Sequence, residues 1–212
     1  MFPVYSNTII YGSTQAGKTS LLHKLIRNRD QLFPLPPQNI IYVHKDTEIE
    51  EIKNELSSLK SLNFIDLNSL PDKETLLCMT SPYQHTLLII DDCLNLGTDP
   101  FFLELFTIYS HHQKTSIIIS TQDLHRGQQW SSLLKNNHNW ILMSCLQNNA
   151  SLIKIGRLMG NFPLLKCIFT HVSQKPYNYL IILNHPSNTG KYQFVNSIFP
   201  EERPIKVFRP KN

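Results

Sequence analysis

Apolar residues in this chain follow two spacings, which predict two kinds of secondary structure. Short unbroken apolar runs, rich in β-branched residues, are typical of strands buried on both faces. They predict strands at 7–11, 40–44, 62–65, 86–91, 115–120, 139–144 and 177–184. Recurrence near every 3.6 residues predicts helices at 18–29, 47–60, 72–79, 99–111 and 149–159. Because strands alternate with helices, the pattern indicates an α/β fold with a mostly parallel sheet flanked by helices.

Length and composition favour one large domain. The chain has 212 residues, of which 41% are hydrophobic, enough to fill a core. We predict a domain at 1–200 and a basic, proline-broken tail at 201–212 that is free to reach a neighbouring molecule. No apolar run approaches the ~18 residues of a membrane helix, and the amino terminus lacks the pattern of a signal peptide. We therefore expect an intracellular protein without a membrane span.

The four cysteines support the same compartment. Cys78, Cys93, Cys145 and Cys167 are scattered and form no C-x-x-C pair. This spacing predicts neither a disulfide framework nor a metal site, and we expect reduced cysteines in the core.

Charge is distributed unevenly along the chain. Residues 1–106 contain 8 Lys and Arg against 13 Asp and Glu, a formal charge of −5. Residues 107–212 contain 12 Lys and Arg against 3 Asp and Glu, a formal charge of +9. A basic half is typical of proteins that bind polyanions such as nucleic acid. A basic surface without a partner gives the same count, so charge alone leaves both interpretations open.

The loop after the first predicted strand has the pattern of a phosphate-binding P-loop. Residues 12–19, GSTQAGKT, match G-x-x-x-x-G-K-[ST] between a strand and a helix. Its glycines let the backbone wrap a phosphate, and the amino end of the next helix faces the anion. Lys18 would reach the β- and γ-phosphates, and the Thr19 hydroxyl would ligate Mg²⁺. The predicted nucleotide-binding residues are Gly12, Ser13, Thr14, Gln15, Ala16, Gly17, Lys18, Thr19 and Ser20.

Carboxylates and an amide follow two further apolar runs. Asp91 and Asp92 end the run at 86–91, and Gln122 follows the run at 115–120. Strand ends at the carboxyl edge of an open α/β sheet are where such sheets bind ligands. Asp91 would hold Mg²⁺ through water, Asp92 would orient or deprotonate the attacking water, and Gln122 would position that water or sense the nucleotide state. Solvated turns after strands are the alternative interpretation.

Taken together, the motifs resemble those of a known family. GSTQAGKT, LLIIDD, FTIYSHHQKTSIIISTQDL, IGRLMG and PYNYLIILNHP are similar to motifs of the viral genome-packaging ATPases of the FtsK–HerA superfamily. The nearest type is that of poxviruses, virophages and adintovirus and Polinton-like elements. The resemblance covers the chain from Ile9 to about Pro200.

The resemblance implies both a fold and a function. The fold is that of a P-loop NTPase with a RecA-like ASCE core, in which the strand before Gln122 lies between the P-loop strand and the strand that ends at Asp91. The implied function is ATP hydrolysis that drives double-stranded DNA into a capsid. The implied partners are further copies in a homomeric ring, a pentamer or hexamer, and a capsid or vertex protein. The implied location is a viral assembly site in the host nucleus or cytoplasm, or the virion.

The arginines depart from the family pattern. The family carries arginines before the Ser-His-His triplet, after the Gln motif and after the next strand; these places hold Ile108 or Tyr109, Ser132 and Asn148. Arg157 matches a family arginine, and we expect it to act on the γ-phosphate of a neighbouring subunit, with Arg126 as the second candidate. An arginine finger contributes orders of magnitude in rate. Two alternatives therefore stay open: a nucleotide-binding assembly factor with little hydrolysis, and a small P-loop kinase, against which the lack of an arginine cluster argues.

Overall fold

The computed structural model describes residues 2–44, 50–57, 62–80, 83–92, 101, 104–106, 112–124, 134–135, 137–146, 149–184, 193–199, 201–202 and 204–208. Within these residues one sheet contains β1 (Asn7–Tyr11), β2 (Asn39–His44), β3 (Asn63–Leu67), β4 (Thr86–Asp91), β5 (Thr115–Thr121), β6 (Asn139–Met143), β7 (Tyr179–Leu183), β8 (Gln193–Val195) and β9 (Val207–Phe208). The helices with described bounds are α1 (Lys18–Arg27), α2 (Arg29–Leu32), α3 (Glu50–Ser57), α4 (Lys73–Met79), α5 (Asn149–Leu158) and α6 (Phe162–Val172). Among these, no helix is long and apolar enough to cross a membrane.

The sheet has a parallel part and an antiparallel part. Its strand order is β3-β2-β4-β5-β1-β6-β7-β8-β9. Each strand from β3 to β6 in this order runs parallel to its neighbours, whereas β7, β8 and β9 pair antiparallel. Ile119 of β5 pairs with Ile9 of β1 on one side and with Ile90 of β4 on the other. The expected position of this strand, between the P-loop strand and the strand that ends at Asp91, is therefore confirmed.

Both faces of the inner parallel strands are buried, as their unbroken apolar runs require, whereas β3 is only partly buried. Alternate residues of β4 point to opposite faces: Leu88 belongs to one core cluster and Ile89 to the other. Helix α1 covers the Ile89 face with the apolar stripe predicted from its sequence, Leu21, Leu22, Leu25 and Ile26. Helices α5 and α6 cover the Leu88 face through Leu152, Ile155, Leu165 and Ile168.

The helix boundaries differ from the prediction in several places. The helix predicted at 18–29 ends at Arg27, where the Asn28 side chain donates to the Lys24 carbonyl at 2.9 Å, and α2 follows as a separate short helix. Helix α6 was not predicted; it begins after Asn161, which caps it by accepting from Leu164 N at 3.1 Å, and Pro163 lies in its first turn. The predicted helix at 99–111 falls mostly outside the described residues, of which 101 and 104–106 are helical.

The segment predicted as a basic tail contacts the domain in the part that the structure describes. Strand β9 lies in this segment and pairs with β8, so the sheet continues past residue 200. Glu201 and Glu202 form salt bridges with Lys24 of α1, the first at 3.0 Å. The Glu202 carboxylate also accepts from Tyr179 Oη and Ser197 Oγ. Long-range pairs of this kind, which the sequence does not display, attach the segment to the domain.

The prediction that the cysteines lie in the core is wrong for the three that the structure describes. Cys78, Cys145 and Cys167 are free thiols on the surface, whereas Cys93 lies outside the described residues. Each exposed cysteine lies on the polar side or at the end of its element.

Candidate functional site

The P-loop connects β1 to α1 and leaves the amino end of the helix open. A Cβ on Gly12 would lie 2.7 Å from the Cβ of Met143, so only glycine lets β6 approach this closely. Gly17, at φ +89°, is the N-cap of α1 and supplies no side-chain cap. The first hydrogen bond of the helix runs from Leu21 N to Gly17 O at 2.9 Å. The N–H groups of the first turn are thus left for another acceptor, as an anion site requires.

Lys18 places a cation across the mouth of this loop. The side chain is buried, and Nζ donates to Ser13 O at 2.9 Å and Gly12 O at 3.2 Å. Burial lowers the pKa of Lys18, while the nearby charges of Asp92 and Asp91 oppose that shift. The ammonium therefore lies between the loop backbone and two carboxylates, where it can pair with incoming phosphate oxygens.

Asp91, at the end of β4, is surrounded by hydroxyl donors. It is 1% exposed, and its Oδ2 accepts from Thr19 Oγ1 at 2.8 Å and from Tyr42 Oη at 2.9 Å. Its Oδ1 accepts from Ser120 Oγ. Thr19 and Asp91 are hard oxygen donors in direct contact at the loop, a donor set that suits Mg²⁺.

Asp92 and Gln122 form a bridge to the P-loop. Gln122 Nε2 donates to Asp92 Oδ2 at 2.7 Å, and Gln122 Oε1 accepts from Thr14 Oγ1. Asp92 has a left-handed backbone, φ +51°, and its N–H contacts Ser120 Oγ at 3.2 Å. A non-glycine residue in this conformation is uncommon and is concentrated at functional sites. The turn directs two consecutive aspartates to different partners, Asp91 to Thr19 and Asp92 to Gln122.

The remaining predicted loop residues have varied environments. Ser13 Oγ donates to Cys145 O at 2.9 Å, so its hydroxyl faces the end of β6. Ala16 is buried, whereas Gln15 is exposed with φ +60°. Ser20 is exposed in the first turn of α1.

Arg157, the first candidate for a trans-acting arginine, does not join this cluster in its own chain. Arg157 is exposed on α5; its carbonyl accepts from Gly160 N at 3.1 Å, whereas its side chain forms no hydrogen bond or salt bridge with the described residues. It lies beside Lys154 at an open surface depression, and Lys154 Nζ donates to Leu124 O at 2.6 Å. Arg126 lies outside the described residues.

Sequence reasoning missed two residues of the site, Tyr42 and Ser120. Ser120 could have been found from the sequence, because it ends a strand next to β4 and pairs in register with Asp91. Tyr42 could not, because its contact with Asp91 depends on β2 lying on the other side of β4.

Comparison with known proteins identifies the fold. No protein-family model and no curated protein matches the chain. The chain is similar to the genome packaging NTPase B204 from Sulfolobus turreted icosahedral virus 2 in complex with ATP-γS, at 16% identity and a TM-score of 0.58, over 92% of this chain and 98% of that one. It is also similar to B204, the DNA-packaging ATPase from Sulfolobus turreted icosahedral virus, at 16% identity and a TM-score of 0.58, over the full length of both.

A third similar structure comes from another system. The cytoplasmic domain of the type VII secretion ATPase EccC from Thermomonospora curvata has 13% identity and a TM-score of 0.55, over 94% of this chain and 26% of that one. The expected P-loop NTPase fold, and the resemblance to packaging ATPases at the level of fold, are therefore confirmed.

Proposed function

We propose that this protein hydrolyses ATP and uses the free energy to drive double-stranded DNA into a viral capsid. The observation that carries the proposal is the bridge from Thr14 through Gln122 to Asp92, next to Lys18. A base, an amide that orients it and a phosphate-binding lysine at one loop are the parts that phosphoanhydride hydrolysis needs.

Each residue has a distinct role in this proposal. Lys18 and the free N–H groups of the first turn bind the phosphate oxygens. Thr19 and Asp91 would hold Mg²⁺, which when bound neutralises charge on the β- and γ-phosphates. Asp92 accepts the proton of the attacking water, and Gln122 holds both that carboxylate and the P-loop side chain of Thr14 in place.

DNA as the translocated partner is supported by positive charge that forms no salt bridge within the described residues. Within the described residues, every salt bridge uses a lysine or arginine from the first 73 residues. The described cations of the basic half form none; they are Lys114, Lys135, Lys154, Arg157, Lys166, Lys175 and Lys206. Phosphates are natural partners for such cations, and similarly folded proteins carry the names genome packaging NTPase and DNA-packaging ATPase.

ATP turnover with and without duplex DNA tests this proposal. Duplex DNA of any sequence should stimulate turnover, and its affinity should fall by about 0.9 log units per log unit of salt for each phosphate neutralised. Turnover that DNA leaves unchanged, or an affinity that is flat from low to physiological salt, would contradict it.

Assembly into a homomeric ring forms a second part of the proposal. The site has no arginine from its own chain among the described residues, and Arg157 is exposed on α5, where a neighbouring copy can be reached. We infer that Arg157 completes the site of the adjacent subunit, and that the ring docks on a capsid or vertex protein at a viral assembly site.

Mixing two inactive variants tests this arrangement. Arg157→Ala subunits combined with Asp92→Asn subunits create some interfaces in which an intact Arg157 faces an intact Asp92. ATPase activity should then partly return. If both variants still assemble and the mixture stays inactive, Arg157 does not act in trans.

A nucleotide-binding assembly factor with little hydrolysis is the second candidate. It is favoured by the same absence of an arginine contact at the site within the described residues. In that case ATP binding would be normal, turnover would be slow, and neither DNA nor subunit mixing would raise it.

A further inference from the structure

The P-loop has a second side, away from the carboxylates. Strand β7 runs antiparallel to β6, with Tyr179 opposite Met143, and Ser144 N donates to Asn178 O at 2.8 Å. The turn before β7 therefore lies at the edge of the sheet where the parallel strands end. This brings residues distant in sequence beside Gly17.

Tyr177, in this turn, holds an exposed aromatic ring against the loop. Its side chain is 68% exposed and its backbone is left-handed, at φ +61°. A Cβ built on Gly17 would lie 3.3 Å from the Cδ1 of Tyr177, so the ring packs over the bare Cα of the glycine. An aromatic residue in this backbone conformation is rare, and such outliers are typical of ligand sites.

A cavity of about 360 Å³ opens beside this ring, a volume within the range of small-molecule sites. Leu21 and Met143 supply apolar walls and Tyr177 an aromatic wall, while Tyr179 and the Lys24–Glu202 salt bridge line the rest. Gly17 and Ser20 connect the cavity to the amino end of α1. We call Leu21, Met143 and Tyr177 the tyrosine side of the P-loop, and Asp91, Asp92, Ser120 and Gln122 its carboxylate side.

The two sides suit the two ends of one elongated ligand. A nucleoside triphosphate carries its γ-phosphate and metal at one end and its base at the other. The carboxylate side, on β4 and β5, suits the γ-phosphate and metal. The other end must then extend past Ser20, towards β6 and β7.

We propose that this cavity binds the nucleobase and that Tyr177 stacks on it. The proposal rests on the proposed function, because it names the base-binding part of the same nucleotide site. Stacking on an aromatic ring tolerates different bases. ATP and GTP should therefore bind with similar affinity, and pyrimidine nucleotides, which have a smaller stacking face, more weakly.

Calorimetric titration of the full chain with Mg²⁺–ATP and with Mg²⁺–tripolyphosphate, which has no base, tests the proposal. Tyr177→Ala should weaken ATP binding by at least about fivefold and leave tripolyphosphate binding unchanged. Tyr177→Phe keeps the ring and should bind ATP like the parent. Tyr83→Ala is the matched control, because Tyr83 is 88% exposed and precedes the amino end of β4, whereas the P-loop lies at the carboxyl ends of the parallel strands.

Two results would overturn the base site alone. One is parent-like ATP affinity in Tyr177→Ala while Lys18→Ala loses ATP binding. The other is an equal loss of ATP and tripolyphosphate in Tyr177→Ala, which indicates a damaged loop. If the parent protein binds neither ligand, the proposed function itself fails, and the base site with it.

Discussion

The two sides of the P-loop differ in how firmly the protein itself holds their side chains. On the carboxylate side, Asp91 is 1% exposed and accepts from three hydroxyl groups. On the tyrosine side, Tyr177 is 68% exposed and forms one wall of an open cavity. Fixed dipoles are what the chemical step needs, because they need no reorganisation at the moment of reaction. An exposed aromatic ring, by contrast, suits a contact that forms when a ligand binds.

This difference follows from the elements that supply each side. Asp91, Asp92 and Gln122 come from the ends of buried parallel strands, whose positions are fixed by hydrogen bonds to both neighbours. Tyr177 comes from the turn before an antiparallel strand. Substitutions at Asp92 and Gln122 should therefore affect the rate, and substitutions on the tyrosine side should affect affinity.

Lys18→Ala should have the largest effect, because it removes the cation that serves both sides. Turnover of ATP should fall by about 100-fold or more, and ATP binding should weaken in a calorimetric titration. Lys53→Ala is the matched control, since Lys53 pairs with Asp66 near the far edge of the sheet. Unchanged binding and turnover in Lys18→Ala would remove the basis for the nucleotide site.

Asp92→Asn should separate the chemical step from binding. It removes a base and keeps the shape, so the turnover rate should fall by about 10²- to 10⁴-fold while ATP affinity stays near that of the parent. Asp91→Asn should instead weaken Mg²⁺-dependent ATP binding. Steady-state kinetics with titration of Mg²⁺ distinguishes the two, and parent-like turnover in Asp92→Asn would show that the roles are wrongly assigned.

Tyr42→Phe should have an intermediate effect, because it removes one of three donors to Asp91. A hydrogen bond to a charged group contributes about 1.5–3 kcal/mol, so the free energy of unfolding in urea should fall by about this amount. The Mg²⁺ concentration for half-maximal turnover should also rise.

Tyr11→Phe provides the matched control for Tyr42. The Tyr11 hydroxyl is also buried, but it donates to Ser151 Oγ at 2.6 Å. Its loss should lower stability without changing the Mg²⁺ requirement. If both variants shift that requirement equally, Tyr42 does not position Asp91.

The smallest predicted effect is on the pH dependence of stability. His23 on α1 lies beside Tyr42, with 6.1 Å between ring centroids. Burial, and then the charge of Arg27, lower the pKa of His23 below its ordinary value of 6.5. The carboxylates that oppose this shift are those of Asp91, Glu51 and Glu55.

The sign of the effect follows from that direction. Well above pH 6.5, His23 is neutral in both the folded and the unfolded protein, and its contribution to stability is fully present. As pH falls below 6.5, the unfolded chain takes up the proton first, so the free energy of unfolding decreases. His23→Gln should reduce this slope in urea titrations, and the rest of the slope should remain, because burial also lowers the pKa of His85. An unchanged slope in His23→Gln would contradict the assignment.

The sequence was sufficient for the parallel part of the fold and for most of the carboxylate side. Leu87 to Ile90 form an unbroken apolar run, which is typical of a strand in the middle of a covered parallel sheet. The two aspartates after this run, and Gln122 after the next strand, then lie at the carboxyl ends of the parallel strands, where such sheets bind ligands. These inferences use only residues that are neighbours in the sequence and the rule that the carboxyl ends of parallel strands lie on the same side of the sheet.

Strand β7 was predicted at 177–184, but its antiparallel direction, strands β8 and β9, and the tyrosine side required the structure. Strand β8 spans three residues and β9 two, which is too short for a period to be visible. The position of Tyr177 depends on β7 reversing direction beside β6, and that of Tyr42 depends on β2 and β4 being neighbours. Contacts that depend on strand order rather than on local pattern are not encoded in any single segment.

The salt bridges of Lys24 have a mechanical consequence. Lys24 lies six residues after Lys18, about 9 Å further along the helix axis, and its partners Glu201 and Glu202 precede β9 at the edge of the sheet. Helix α1 and strand β9 are therefore linked by two salt bridges, and not only by the intervening chain. A displacement of α1 during the proposed ATP cycle would therefore act directly on the segment before β9. This gives the proposed motor a short mechanical connection from the P-loop to the outermost described strand of the sheet.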